Sequence, residues 1–176
     1  MSLNKKPTAE QIKRLPKAVI HDHLDGGLRP QTIIDLAAEM GYTKLPTTDP
    51  IKLADWFEES CNSGSLVRYL ETFEHTIAVM QTRENIIRVA RECALDLARD
   101  GVVYAEVRGA PELFTREGLS LNEIIEATTQ GYRLGMADAK AEGLTIRVEQ
   151  LLCALRQNEH SDEVARKVVE YREDRK

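Results

Sequence analysis

Aromatic side chains are scarce in this 176-residue chain, at 5% of the residues, which leaves little material for a platform that stacks nucleic-acid bases. Positive charge is not in excess either: 24 Lys and Arg stand against 29 Asp and Glu, a net charge of −5. Broad electrostatic attraction to nucleic acid or to an anionic membrane is therefore not expected. No apolar run approaches the roughly 20 residues that span a bilayer. Lys5 and Lys6 near the start are not followed by an apolar segment, so the opening residues do not read as a secretory signal, and Met1-Ser2-Leu3 reads as a cloning remnant. The three cysteines, Cys61, Cys93 and Cys153, are odd in number and far apart. That usage fits reduced thiols and a cytoplasmic setting. What remains is an ordinary globular balance, 42% hydrophobic and 30% charged, read as a single domain over residues 1–176 with a core of its own.

Periodicity and punctuation organise the chain. Thr8-Ala9-Glu10-Gln11 has the form of a capping box, and the short helix it opens is closed by Pro16. Ala18 to His23 reads as a strand broken by Gly26-Gly27. A helix follows from Pro30 to Met40, with Gly41 as its cap. Further helices are expected at Ile51–Glu59, Leu66–Met80 and Arg83–Arg99. In the second of these Leu66, Tyr69, Leu70, Phe73, Ile77 and Met80 follow one another at spacings of 3, 1, 3, 4 and 3, one face of a helix. Val102–Val107 is a second strand, Leu121–Glu142 a long helix capped by Gly143, Thr145–Leu152 a third strand, and Ser161 opens a last helix. Strands that alternate with helices point to parallel β/α units, here three of them, with a helical insertion after the first strand.

The segment that carries chemistry is Ala18-Val19-Ile20-His21-Asp22-His23-Leu24-Asp25-Gly26-Gly27. Residues i and i+2 of a strand share a face, so His21 and His23 can meet one ion, and imidazole is a good zinc ligand. A bare His-x-His is common, and most such pairs lie on a surface or are satisfied in a core. Three features raise this one: it ends a short apolar strand, a Gly-Gly turn follows at once, and it begins the first β/α unit. Asp25 lies just past the strand end, where a parallel barrel keeps its site, and could accept a hydrogen bond from a substrate hydroxyl. Asp22 alternates to the other face. His75 and His160 have no ligand partner at useful spacing and read as surface or helix-end residues.

Leu-Pro-Lys, an apolar strand, His-x-His-Leu-Asp-Gly and then Arg-Pro-x-Thr-Ile resemble the N-terminal signature of the adenosine deaminases, metal-dependent hydrolases built on a (β/α)₈ barrel. Gly101-Val102-Val103-Tyr104-Ala105-Glu106-Val107-Arg108 resembles that family's second strand, and Leu151-Leu152-Cys153-Ala154-Leu155-Arg156 its third. The resemblance covers nearly the whole chain in order. It implies an α/β fold of which only about the first three β/α units of a TIM barrel are present, and hydrolytic deamination of adenosine and deoxyadenosine to the inosine and ammonia. It implies one Zn²⁺ per complete site, with His21 and His23 as two of its ligands. His23 and Asp25 match positions against the bound purine nucleoside, with Asp25 facing a ribose hydroxyl. Leu66, Tyr69, Leu70 and Phe73 match a helix that roofs an apolar subsite, although packing into an ordinary core accounts equally well for any one of them. Leu113 and Leu155, with Ala110, sit near further pocket positions. Glu106, Arg108 and Arg156 read as strand-end ion pairs or support for the site.

The family's general acid, its water-orienting histidine and its remaining metal ligands lie beyond the third strand. None of them falls within this chain, so no catalytic residue is assigned here. A complete barrel takes about 250 residues and at least about 200. The expectation is therefore a truncated, clipped or natural fragment, inactive by itself and inclined to self-associate or to pair with a missing C-terminal half. Adenine or other aminopurine deaminases of the same superfamily are the nearest alternative, although they tend to carry Glu after His-x-His where this chain has Asp25. A non-catalytic fragment or pseudoenzyme is the alternative of another class.

Overall fold

A computed structural model of the protein describes residues 6–156 and 161–173. The reading of Met1-Ser2-Leu3 and that of His160 lie outside the described residues. In chain order the elements are α1 (Ala9–Arg14), β1 (Lys17–His23), α2 (Pro30–Met40), α3 (Pro50–Cys61), α4 (Leu66–Ala78), α5 (Arg83–Arg99), β2 (Val102–Gly109), α6 (Leu121–Ala141), β3 (Arg147–Leu152) and α7 (Ser161–Glu173). Short 3₁₀ turns follow the first two strands, at Leu24–Gly26 and Pro111–Phe114.

Local chemistry sets most of these bounds. Thr8 and Gln11 form the expected capping box, as do Ser120 and Glu123 at the start of α6. Asp49, Ser65 and Thr82 accept from the first free amides of α3, α4 and α5, which satisfies donors that a helix leaves open. Gly41 ends α2 at φ 69°, a conformation that costs glycine little.

The three strands form one parallel sheet in the order β1-β2-β3. α5 and α6 cover one face. Their approach is close because α6 places Gly131 and Gly135 against α5. A Cβ at Gly131 would lie 2.5 Å from the Ala90 Cβ, and one at Gly135 would lie 2.3 Å from the Arg91 carbonyl oxygen. Ile86, Ala90 and Ala94 of α5, Ala105 and Val107 of β2 and Ile124 of α6 fill the space between sheet and helices. On the opposite face Ile20, His21 and His23 stand exposed.

A bulge decides which side chains face that open side. Between Val19 and Asp22 β1 advances three residues while β2 advances two, from Ala105 to Val107. Ile20 and His21 therefore share the place opposite Glu106. Without the extra residue His21 would follow Val19 onto the helix-covered face, since a one-residue slip inverts a strand. With it, Val19 and Asp22 turn toward the helices while His21 and His23 turn away.

Candidate metal and nucleoside site

His21 and His23 end β1 on its open face, and their ring centroids are 5.4 Å apart with the planes tilted by 39°. Two exposed imidazoles this close can converge on a small cation. Among the described residues no group of three or more His, Cys, Asp and Glu side chains gathers to hold an ion. The pair thus fits two of the three or four protein positions that zinc uses. Asp22 points the other way. Its carboxylate accepts the His23 backbone N–H at 2.8 Å; burial pushes up the Cys93 thiol and the Tyr132 hydroxyl behind the strand, and the Asp22 charge adds to it.

The 3₁₀ turn after β1 tucks Asp25 under the same strand end. Asp25 is only 6% exposed, and its Oδ1 is buried without a hydrogen-bond partner. The His23 ring lies near it, with Nδ1 3.9 Å from Oδ1. Burial raises the Asp25 carboxyl above the usual carboxylate range, against the pull of its own backbone amide and of His23. A buried polar oxygen left unpaired beside an open face costs stability in a folded chain. That cost makes sense where a ligand group completes the hydrogen bond.

α4 arrives over this end of the sheet. Phe73 closes on the turn: a Cβ placed on Gly26 would lie 3.8 Å from the Phe73 ring and 3.5 Å from the His23 Cβ. Tyr69 meets Phe73 edge-on, with centroids 5.3 Å apart. The apolar stripe of α4 divides along its length. Ile77, in the last turns, is buried, whereas Leu66 is 70% exposed, Leu70 55% and Tyr69 39%. Packing into this chain's core therefore accounts for Ile77 but not for Leu66 and Leu70.

Leu113 and Leu155 emerge from the neighbouring strand ends. Leu113 sits in the turn after β2, half-buried, and its carbonyl accepts from the Gln81 amide at 3.0 Å. The Leu155 amide donates to Glu112 Oε1 at 3.0 Å, which ties the loop after β3 to the turn after β2. Ala110 is buried. Glu106 does not pair with Arg108. It accepts the Tyr104 hydroxyl at 2.9 Å, while Arg108 Nε is buried with no partner. A cleft of about 430 Å³ lies elsewhere, along the outer edge of β3 between Gln150, Leu152, Val168 and Tyr171. It lacks His21, His23 and Asp25, and it is the gap beside a strand that pairs only with β2 among the described elements.

Of the two readings of His75, surface or helix-end, the structure bears out the second. It lies in the last turn of α4, where it is half-buried and shares a hydrogen bond with Tyr42. Its partners are 33 and 19 positions away in the chain, at Tyr42 and Trp56, so no local spacing could have disclosed them.

A family profile described as adenosine deaminase matches residues 16–175. The chain belongs to the adenosine deaminase family. An adenosine deaminase of Streptomyces coelicolor is 53% identical over 172 residues, which is 98% of this chain and 43% of the relative. One from Mycobacterium marinum is 49% identical over 167 residues, 95% of this chain and 46% of the relative. The chain thus spans less than half the length of these curated relatives. Among solved structures, an Arabidopsis N6-mAMP deaminase superposes with a TM-score of 0.72 at 27% identity, covering 93% of this chain and 48% of its own. An amidohydrolase from Burkholderia ambifaria, solved with bound Zn, superposes with a TM-score of 0.71 at 20% identity over 98% of this chain and 45% of its own. These folds are TIM barrels, and the three parallel β/α units here are part of one.

Proposed function

We propose that the complete protein hydrolyses adenosine and deoxyadenosine to inosine and deoxyinosine, respectively, with release of ammonia, at a zinc site of which this chain supplies one flank. The observation that carries the reading is the pairing of His21 and His23, 5.4 Å apart on the open end of β1, beside the buried, unpartnered oxygen of Asp25. His21 and His23 hold the ion from one side. Zinc, when bound, supplies a water acidified from a pKa of about 15.7 to about 7. Asp25 accepts a ribose hydroxyl, which completes its own hydrogen bonding and orients the nucleoside. Leu66, Tyr69, Leu70 and Phe73 roof the purine and, with Leu113 and Leu155, keep bulk water from it.

The chain folds as one unit that is inactive by itself, because two imidazoles leave an ion short of ligands and no general acid is assigned within it. The open edges of β1 and β3 invite a further strand, from the remainder of a barrel or from a second copy. Among the described residues no helix is long and apolar enough to cross a membrane. A cytoplasmic setting and a purine nucleoside partner, with neither nucleic acid nor membrane, complete the reading.

Initial rates with adenosine, adenine and N6-methyl-AMP test it, followed by the absorbance change of the purine and by ammonia release. Adenosine is expected to be turned over best. A preference for adenine would move the assignment to the aminopurine relatives. No turnover of any of the three by a zinc-loaded complete protein would favour a non-catalytic role.

A further inference from the structure

α4 reaches the site with one end and is tied down at the other. Leu66, Tyr69 and Leu70 in its first two turns stand clear of the core, while Thr72 at its middle and Thr76 and Ile77 near its far end are buried. His75 sits at that far end. The Tyr42 hydroxyl and the His75 Nδ1 are 2.9 Å apart. The imidazole also meets the Trp56 ring of α3 edge-on, with centroids 5.2 Å apart and planes at 70°. Trp56 packs in turn on Phe57, centroids 5.1 Å apart. One side chain therefore joins the segment after α2, α3 and α4. Burial holds the His75 imidazole below the ordinary histidine range, against the pull of Glu74.

The geometry points to His75 as a positioning residue: with Tyr42 and Trp56 it anchors α4 and so sets where Leu66, Tyr69 and Leu70 stand over the purine subsite. The inference rests on the functional reading above and extends it to a residue that touches no substrate. Leverage makes the anchor matter. Leu66 lies nine residues from His75, about 14 Å along the helix axis at the usual rise, so a tilt of about 10° at the anchor carries Leu66 sideways by about 2 Å. A misplaced roof lowers the fraction of protein ready to bind and raises KM in proportion, while the complex that does form reacts as before.

The test uses the complete, zinc-loaded protein and two readouts. In His75→Ala the KM for adenosine is expected to rise about five- to twentyfold, the worth of one buried hydrogen bond and one ring contact, with kcat within about twofold. Tyr42→Phe keeps the ring but loses the hydroxyl, and it should raise KM about three- to fivefold even if the alanine variant folds poorly. His75→Gln keeps a hydrogen-bonding group but loses the ring edge, and it should fall between wild type and alanine. The second readout is the emission of Trp56, isolated as the difference from the matching Trp56→Phe protein. It should shift to the red in His75→Ala, because the indole loses its neighbour and gains water. Unchanged Trp56 emission in His75→Ala would overturn the anchor. A shifted emission with KM unmoved would overturn its role over the subsite, as would a fall in kcat with KM unmoved. If wild type turns over no purine at all, the functional reading fails, and the Trp56 emission still decides whether the anchor exists.

Discussion

Leu70→Ala separates a substrate roof from an ordinary core. Leu70 is 55% exposed on α4, whereas Ile77, two turns along the same stripe, is 7% exposed. Taking a leucine side chain wholly out of water is worth about 1.5–3 kcal/mol. Covering the exposed half of Leu70 with bound purine is then worth about 1–1.5 kcal/mol, and truncation should raise the KM for adenosine about five- to tenfold. The same change should cost the empty protein only about 1 kcal/mol, the worth of the half of the side chain that is already covered. Ile77→Ala is the internal standard, because removing a buried isoleucine costs about 2–4 kcal/mol. Urea unfolding with an unchanged slope gives the stability difference, and steady-state rates give KM. If Leu70→Ala loses as much stability as Ile77→Ala and leaves KM alone, the α4 stripe is structural throughout and the roof is wrong.

Three further outcomes follow from the packing. Gly135→Ala forces a methyl into the Arg91 carbonyl, 2.3 Å away, and should destabilise the α5–α6 contact by about 1–3 kcal/mol in urea unfolding. Thiol labelling at pH 8 should reach exposed Cys61 first and half-buried Cys93 far more slowly, because burial pushes the Cys93 thiol up to about 12; equal rates would contradict that difference. Arg91 and Arg99 hold Asp138 and Glu142 below the usual carboxylate range. Their contribution is full above the unfolded values of about 3.9 and 4.3 and is lost as pH falls through the lower folded values. The Asp138→Asn, Glu142→Gln protein should therefore lose less of its thermal midpoint than wild type between pH 5 and pH 2.

The elements were most legible where local chemistry fixes them. α5 runs from Arg83 to Arg99 as its periodicity predicts, between the Thr82 cap and Gly101 at φ 85°. Strand ends were less legible because a partner sets them. β2 continues to Gly109 because Gly109 pairs with Leu152, and β3 begins at Arg147 because Arg147 pairs with Tyr104, although Thr145 and Ile146 have the better strand propensity. The His-x-His pattern put both rings on one face, as the structure has them. The bulge at Ile20 and His21 that turns this face away from the helices leaves no mark in the pattern, since it exists only relative to Ala105 and Val107. Burial of Asp25 and the cluster around His75 are likewise tertiary facts, made by residues far apart in sequence.

The zinc content of single variants decides whether His21 and His23 are zinc ligands. The complete protein should carry one zinc per active site by elemental analysis. His21→Ala and His23→Ala should each lose most of it, together with nearly all adenosine turnover, while keeping the wild-type unfolding midpoint of the metal-free protein. Either variant retaining a full equivalent of zinc and normal turnover would contradict the account.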